Sequence, residues 1–173
     1  MKIRLFGLTV FGKEKWARAI FMNRGNKMKV NFKKLDVNAK VPTYGSPYSA
    51  GADLYALTNG ETVEFLPGET KIIHTGIAME IPEGYAGLIY ARSGIANKRG
   101  LAPSNKVGVV DADYRGEIMV SLHNHSNETQ QISDGERIAQ MVIAPFLAVE
   151  YTEVEELTDT QRGTGGFGST GKK

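Results

Sequence analysis

The segment richest in chemical possibility is 105–117, NKVGVVDADYRGE, where an apolar run delivers two carboxylates and an aromatic into a tight turn. A carboxylate at a strand end can orient a water and take its proton. Asp111 and Asp113 are two apart, so on an extended strand they share a face while Ala112 points away. Tyr114 offers a flat surface for a base or a sugar. The plainer reading of this spacing is a hairpin with an Asx-type turn, because acidic residues are ordinary in turns.

Four other segments carry polar groups in suggestive places. Asp53 sits in AGADLYA (50–56), which alone reads as a small-residue turn with an acidic strand edge. Arg92 and Ser93 sit in YARSGIA (90–96), at the end of an apolar strand that opens a short helix. Such a helix start offers N–H donors and partial positive charge to an anion. Ser93 equally suits the N-cap. In ERIAQM (136–141), alternation puts Ile138 and Gln140 on one face and Arg137, Ala139 and Met141 on the other. A buried amide at Gln140 must find partners, and a subunit contact would supply them. Finally, RGTGGFGSTG (162–171) holds five glycines in 163–171. That composition cannot pack a core of its own, but it suits a lid whose N–H groups approach phosphate oxygens closely.

The histidines do not assemble a metal site. His123 and His125 are two apart in SLHNHSN, with no third ligand in a suitable pattern, so they read as a solvated turn. His74 stands alone and reads as a core or interface residue.

The elements that must position these groups are short and β-like. Residues 29–35 alternate, with Val30, Phe32 and Leu35 inward. Residues 71–81, KIIHTGIAMEI, mostly alternate, and 84–90, 107–110, 117–123 and 137–145 are further candidate strands. Turn clusters at 44–47, 66–69, 82–84 and 133–135 separate them. Many short strands with few helical windows predict an all-β sandwich or barrel. One short helix is predicted over Ser93–Arg99, ended by Gly100.

Bulk composition narrows the classes. A chain of 173 residues suits one domain, and the absence of cysteine excludes disulfides, thiolate metal sites and a Cys nucleophile. It suits a cytoplasmic or other reducing intracellular compartment. The apolar runs are too short for a membrane span. The formal charge of +2 is unevenly spread: 1–28 carry seven Lys/Arg and one Glu, net +6, leaving 14 basic and 18 acidic residues elsewhere, net −4. Scattered Lys/Arg in the body give no nucleic-acid footprint. Residues 1–28, with the sole tryptophan Trp16, read as a basic extension, disordered or appended. They weakly resemble an organelle transit peptide, and Met28 could be a second start. The body then spans 29–160 and a lid arm 161–173.

In order and spacing, AGADLYA, ARSGIA, NKVGVVDADYRGE, GERIAQM and RGTGGFGSTG closely resemble the five motifs of the trimeric dUTPase family. The resemblance covers roughly 29–171. It implies a jelly-roll-like β-barrel assembled as a homotrimer, with three active sites at subunit interfaces. It implies hydrolysis of dUTP to dUMP and pyrophosphate with Mg²⁺, limiting uracil in DNA and supplying dUMP for dTMP synthesis. By the same resemblance Asp111 is the general base, and Tyr114 packs on the deoxyribose and leaves no room for a 2′-OH. Asn105 and Gly108 belong to the turn that reads uracil. Arg92, Ser93, Gly94 and Gln140 contact phosphates, and Asp53 holds the Mg²⁺ hydration shell. The tail of another subunit closes the site, with Arg162, Ser169 and Thr170 at the phosphates, Phe167 over uracil, and Gly166 and Gly168 also binding substrate. Ala91 stands where the family usually has proline, which relaxes local rigidity without touching a ligand.

Two other readings share much of this pattern. A dCTP deaminase of the same superfamily shares the barrel and the Arg-Ser segment, but not the DADYRGE turn with a Phe lid. A regulatory nucleotide-binding protein would use the same pocket as a switch. A purely structural jelly roll leaves the paired Asp residues and glycine-rich tail unexplained.

Overall fold

The structure, a computed structural model, describes residues 28–166. Turn-bounded runs of β-branched and aromatic residues become short strands, as their fit to a pleated half-buried surface requires. In chain order these are β1 (Asn31–Lys34), β2 (Thr43–Tyr44), β3 (Ala52–Tyr55), β4 (Val63–Phe65), β5 (Thr70–Ile73) and β6 (Ile77–Glu80). There follow β7 (Tyr85–Tyr90), α1 (Ser93–Arg99), β8 (Leu101–Pro103), β9 (Gly108–Val110), β10 (Val120–Asn124), β11 (Gln130–Ile132) and β12 (Arg137–Pro145). The largest sheet runs β2-β3-β12-β7-β9, beside a β5-β10-β8 sheet and the pairs β1-β6 and β11-β4. Every pairing is antiparallel.

The core lies between these sheets. Phe65, Leu101, Leu122, Ile132 and Ile138 are fully buried and come from β4, β8, β10, β11 and β12. Each such side chain contributes about 1.5–3 kcal/mol by leaving water. The result is the expected all-β fold with one short helix. That helix occupies Ser93–Arg99, and Gly100 ends it at φ 68°, its N–H bonded to the Ala96 carbonyl.

Alternation misleads in three places. The run 71–81 is two strands, because Gly76 turns the chain at φ 66° where a Cβ would lie 2.7 Å from both Ala39 Cβ and Leu57 Cδ2. The strand read over 117–123 begins at Val120, and Glu117 makes only an isolated bridge to Ala78. Phe32 and Leu35 are not inward but 48% and 50% exposed, since β1 pairs with β6 alone and stands off the core.

Candidate active site

The five-stranded sheet builds the first half of the site. Asp53 on β3, Gln140 on β12 and Tyr90 on β7 are cross-strand neighbours in one row. They line a cleft of about 460 Å³ together with Arg92, Ser93 and Gly94, which follow β7 into α1. Ser93 is the first helical residue rather than the N-cap; Arg92 is the cap, with extended backbone and no side-chain capping bond. The Ser93 hydroxyl is thus not engaged in capping the helix.

Arg137 also lines this cleft, which strict alternation forbids. A bulge between Arg137 and Ala139 shifts the register of β12 against β3 and turns Arg137 onto the face of Gln140. Bulges re-aim side chains in this way beside functional sites. The buried Asp53 carboxylate joins the two arginines. Its Oδ1 accepts from Arg92 Nε at 2.6 Å and its Oδ2 from Arg137 Nη1 at 3.3 Å. Two guanidiniums sharing one carboxylate leave a formal surplus of one positive charge in the cleft, suited to an anion. Gln140 Nε2 donates to the Ala91 carbonyl at 2.9 Å, so its partner is within the chain. Gly51 makes room for it, since a Cβ there would lie 2.8 Å from Gln140 Oε1.

The second half is the hairpin after β9. Asn105, Gly108, Asp111, Tyr114 and Glu117 line a pocket of about 230 Å³ with Ile89 and Ile118. Gly108 pairs with Ile89, and a Cβ there would lie 3.2 Å from Ile89 Cβ and 3.5 Å from Asn105 Nδ2. Asp111 is exposed at the end of β9, and the chain turns at once, with Tyr114 N–H bonded to the Asp111 carbonyl at 3.2 Å. Asp111 and Asp113 are therefore not on one strand face, and only Asp111 lines the pocket. The Tyr114 hydroxyl donates to the Glu117 carbonyl at 3.0 Å. Arg115 Nη1 donates to the carbonyls of Ala112 and Tyr114 at 2.6 and 3.0 Å.

Glu117 is a functional candidate within the quoted segment to which the sequence assigns no role. Its carboxylate accepts from Thr75 N–H at 3.1 Å, Gly76 N–H at 2.7 Å and His74 Nδ1 at 2.8 Å. Burial works to raise its pKa, but the hydrogen bonds from His74, Gly76 and Thr75 and the His74 charge outweigh it and hold the carboxyl below its usual value. His74 is accordingly an exposed partner of this carboxylate rather than a core residue.

The two clefts share no lining residue. The first lies where β3, β12 and the end of β7 run into α1, and the second lies at the edge strand β9, lined by Val109 and Val110 together. The structure therefore gathers Asp53, Arg92, Ser93, Gly94 and Gln140 in one place and Asn105, Gly108, Asp111 and Tyr114 in another. Arg162 and Gly166 join neither; Arg162 Nε bonds the Gly165 carbonyl at 2.8 Å within its own turn. Phe167, Gly168, Ser169 and Thr170 lie outside the described residues, as does the basic stretch 1–27. Among the described residues no group of three or more His, Asp or Glu could hold a metal, and no helix is long and apolar enough to cross a membrane.

A dUTPase family model matches residues 37–171. The deoxyuridine 5'-triphosphate nucleotidohydrolase of Nautilia profundicola is 53% identical over 145 residues, covering 84% of this chain and 100% of that protein. Its counterpart from Anaplasma marginale is 50% identical over 131 residues, covering 76% and 88%. Among solved structures, the Staphylococcus bacteriophage 80alpha dUTPase with dUPNHPP has a TM-score of 0.75 at 33% identity, covering 84% of this chain and 99% of that one. A mutant dUTPase from phage phi11 of S. aureus, described for its coordination of a structural Mg(II) ion, has a TM-score of 0.68 at 29% identity, covering 76% and 100%. The fold is thus the jelly-roll-like fold of these neighbours, and the chain belongs to the dUTPase family.

Proposed function

We propose that this chain hydrolyses dUTP to dUMP and pyrophosphate as a homotrimer whose active sites are shared between subunits. The observation that carries this reading is the split site. The anion-binding cleft and the Asp111 hairpin share no lining residue and belong to different parts of the sheet, an arrangement that suits a nucleotide held between the cleft of one chain and the hairpin of another. The hairpin pocket, at about 230 Å³, is also below the ~300–1,000 Å³ usual for a small-molecule site. The segment after β12 adds support. Phe146, Leu147, Val149, Tyr151, Val154 and Leu157 are all exposed, an apolar arm in need of a partner surface.

The chemistry follows from the residues. Asp111 accepts a proton from a water as that water attacks the α-phosphorus. The bond from the α-phosphorus to its bridging oxygen breaks in line, and pyrophosphate leaves with the bond pair. Arg92 and Arg137, held by Asp53, meet the negative charge that builds on the leaving group, with Ser93, Gly94 and Gln140 beside them. Tyr114 packs on the deoxyribose, and the turn bearing Asn105 and Gly108 reads the uracil edge. Arg162 and the tail Gly166, Phe167, Gly168, Ser169 and Thr170 of another subunit close the site.

Mg²⁺ fits as a hydrated ion carried by the phosphates. Both Asp53 oxygens already accept from guanidiniums, but each can also accept from a water, so Asp53 suits an outer-sphere partner. When bound, the ion neutralises phosphate charge. The test is pyrophosphate release from dUTP with Mg²⁺, set beside dTTP, dCTP and UTP. Turnover of dUTP well above the other three is expected. Ammonia from dCTP would instead identify a deaminase, and binding without turnover a nucleotide-responsive regulator.

A further inference from the structure

The hairpin that carries Tyr114 is tied down at its far end, where Glu117 and Ile118 meet the chain between β5 and β6. Residues 111–117 bring a short loop off the edge strand β9, and such a loop is free to sway unless its far end is anchored. The anchor is Glu117. Its carboxylate takes three donors from the turn between β5 and β6: the N–H groups of Thr75 and Gly76 and the His74 ring. Next to it, Ile118 N–H bonds the Ile77 carbonyl at 2.8 Å, and the Thr75 hydroxyl donates to the Ile118 carbonyl. The same residue's carbonyl receives the Tyr114 hydroxyl. Between them sits Gly116, where a Cβ would lie 2.6 Å from Tyr114 Cζ and 3.0 Å from its Cε2. The ring therefore lies folded back across glycine, gripped at its hydroxyl by a residue locked to another turn of the barrel.

We propose that Glu117 is a positioning residue for sugar selection: it fixes the Tyr114 ring, through the bare backbone of Gly116, at the height that admits a deoxyribose and excludes a ribose. This rests on the reading of the chain as a dUTP hydrolase. The physical case is one of tolerance. A 2′-OH differs from a hydrogen by a single oxygen, so a ring free to retreat by about 1 Å accommodates it, and displacements of that size cost up to about 10²-fold in well-ordered sites. Shape-based rejection holds only while the wall is stiff. Three charge-assisted bonds to backbone and ring donors supply that stiffness, and they reach Glu117 from outside the hairpin.

The experiment measures kcat/KM for dUTP and for UTP, and inhibition by pyrophosphate, in wild type, Glu117→Ala, Glu117→Gln and Gly116→Ala. Glu117→Ala is expected to lower the dUTP-to-UTP selectivity ratio about tenfold or more. Glu117→Gln, which still offers an oxygen to the Thr75 and Gly76 N–H groups, should restore most of it. Gly116→Ala leaves the Glu117 anchors in place but forces the ring away, and should also lower the ratio. Inhibition by pyrophosphate should be unchanged throughout, because the anion cleft shares no residue with the hairpin. A selectivity ratio equal to wild type in an active Glu117→Ala protein overturns the proposal. If Glu117→Ala fails to fold, an unchanged ratio in Gly116→Ala overturns it equally. Failure of the wild type to release pyrophosphate from dUTP would instead overturn the functional reading, so the two failures are distinguishable.

Discussion

The split site makes a quantitative prediction about mixed trimers. Asp111→Asn removes the proposed base from the hairpin, and Arg92→Ala removes a guanidinium from the separate cleft. Each homotrimer should lose about 10²-fold or more in turnover, the usual worth of a positioned base or of a donor aimed at developing charge. The two variants are then co-expressed with different affinity tags and purified through both tags in turn, so that only mixed trimers remain. In the proposed closed ring of three, each site would take its cleft from one chain and its hairpin from the next. Whether the mixture is two to one or one to two, a chain with an intact cleft is followed by a chain with an intact hairpin once per ring. Mixed trimers should therefore recover about one third of wild-type turnover per trimer. Pyrophosphate release under saturating dUTP is the assay. If both halves of a site came from one chain, every site would carry a defect, and the mixed trimers would show only the mean of the two inactive parents. That result would refute the proposal that each site is shared between chains.

Three further outcomes follow from particular contacts. Deleting 161–173 should cut turnover sharply yet leave the melting temperature nearly unchanged, because the described part of that segment bonds only within its own turn; a truncated protein with full activity would refute the lid. Arg137→Ala should weaken pyrophosphate inhibition about tenfold, a half-exposed charge-assisted bond being worth little more than the ~1.4 kcal/mol of one decade; unaltered inhibition would show that the bulge serves packing alone. Glu117 has a folded-state pKa held below its usual value, so its contribution to stability is complete above the ordinary carboxylate value of 4.5 and is lost as pH falls through the lowered one. Melting temperatures of wild type and Glu117→Gln should differ by a constant amount near neutrality and converge below about pH 4.5, and a gap constant down to acid pH would contradict the assignment.

How much of this was legible in the sequence depends on which force decided each feature. Local signals placed α1 at Ser93–Arg99 and the strand at Arg137–Pro145, since a glycine stop and a long alternating run need no tertiary information. The motif segments named residues of both clefts, but their spacing alone did not say which of them share a cleft. That required the strand pairing, which sets Asp53, Gln140 and Tyr90 in one row and leaves the hairpin at the edge strand β9. Arg137 escaped because a bulge is one extra residue in a pairing, and alternation counted along a single strand has no access to the partner. Glu117 escaped because its donors are the backbone of Thr75 and Gly76, whose sequence separation from it is 42 and 41. Only the glycine at 76 hinted at them, and it reads as a turn without saying what the turn holds.

The place of Asp53 shows why net charge is a poor guide to this site. The body of the chain, with residues 1–28 set aside, is net negative at −4, so its overall field does not draw in a polyanion. Within the cleft, Asp53 cancels one of two arginine charges and lowers the attraction further. What it supplies is order. A guanidinium is a planar fork, effective only when its N–H groups are aimed. Asp53 grips Arg92 through Nε and Arg137 through Nη1, and both arginines line the cleft with further N–H groups to donate. Each arginine thereby arrives with its rotamer entropy already spent. On the proposed function, the cleft would bind by aim rather than by total charge. One surplus positive charge against a triphosphate leaves most of the neutralisation to groups outside the cleft, which is where the arm's Arg162 and a hydrated divalent ion enter the proposed mechanism.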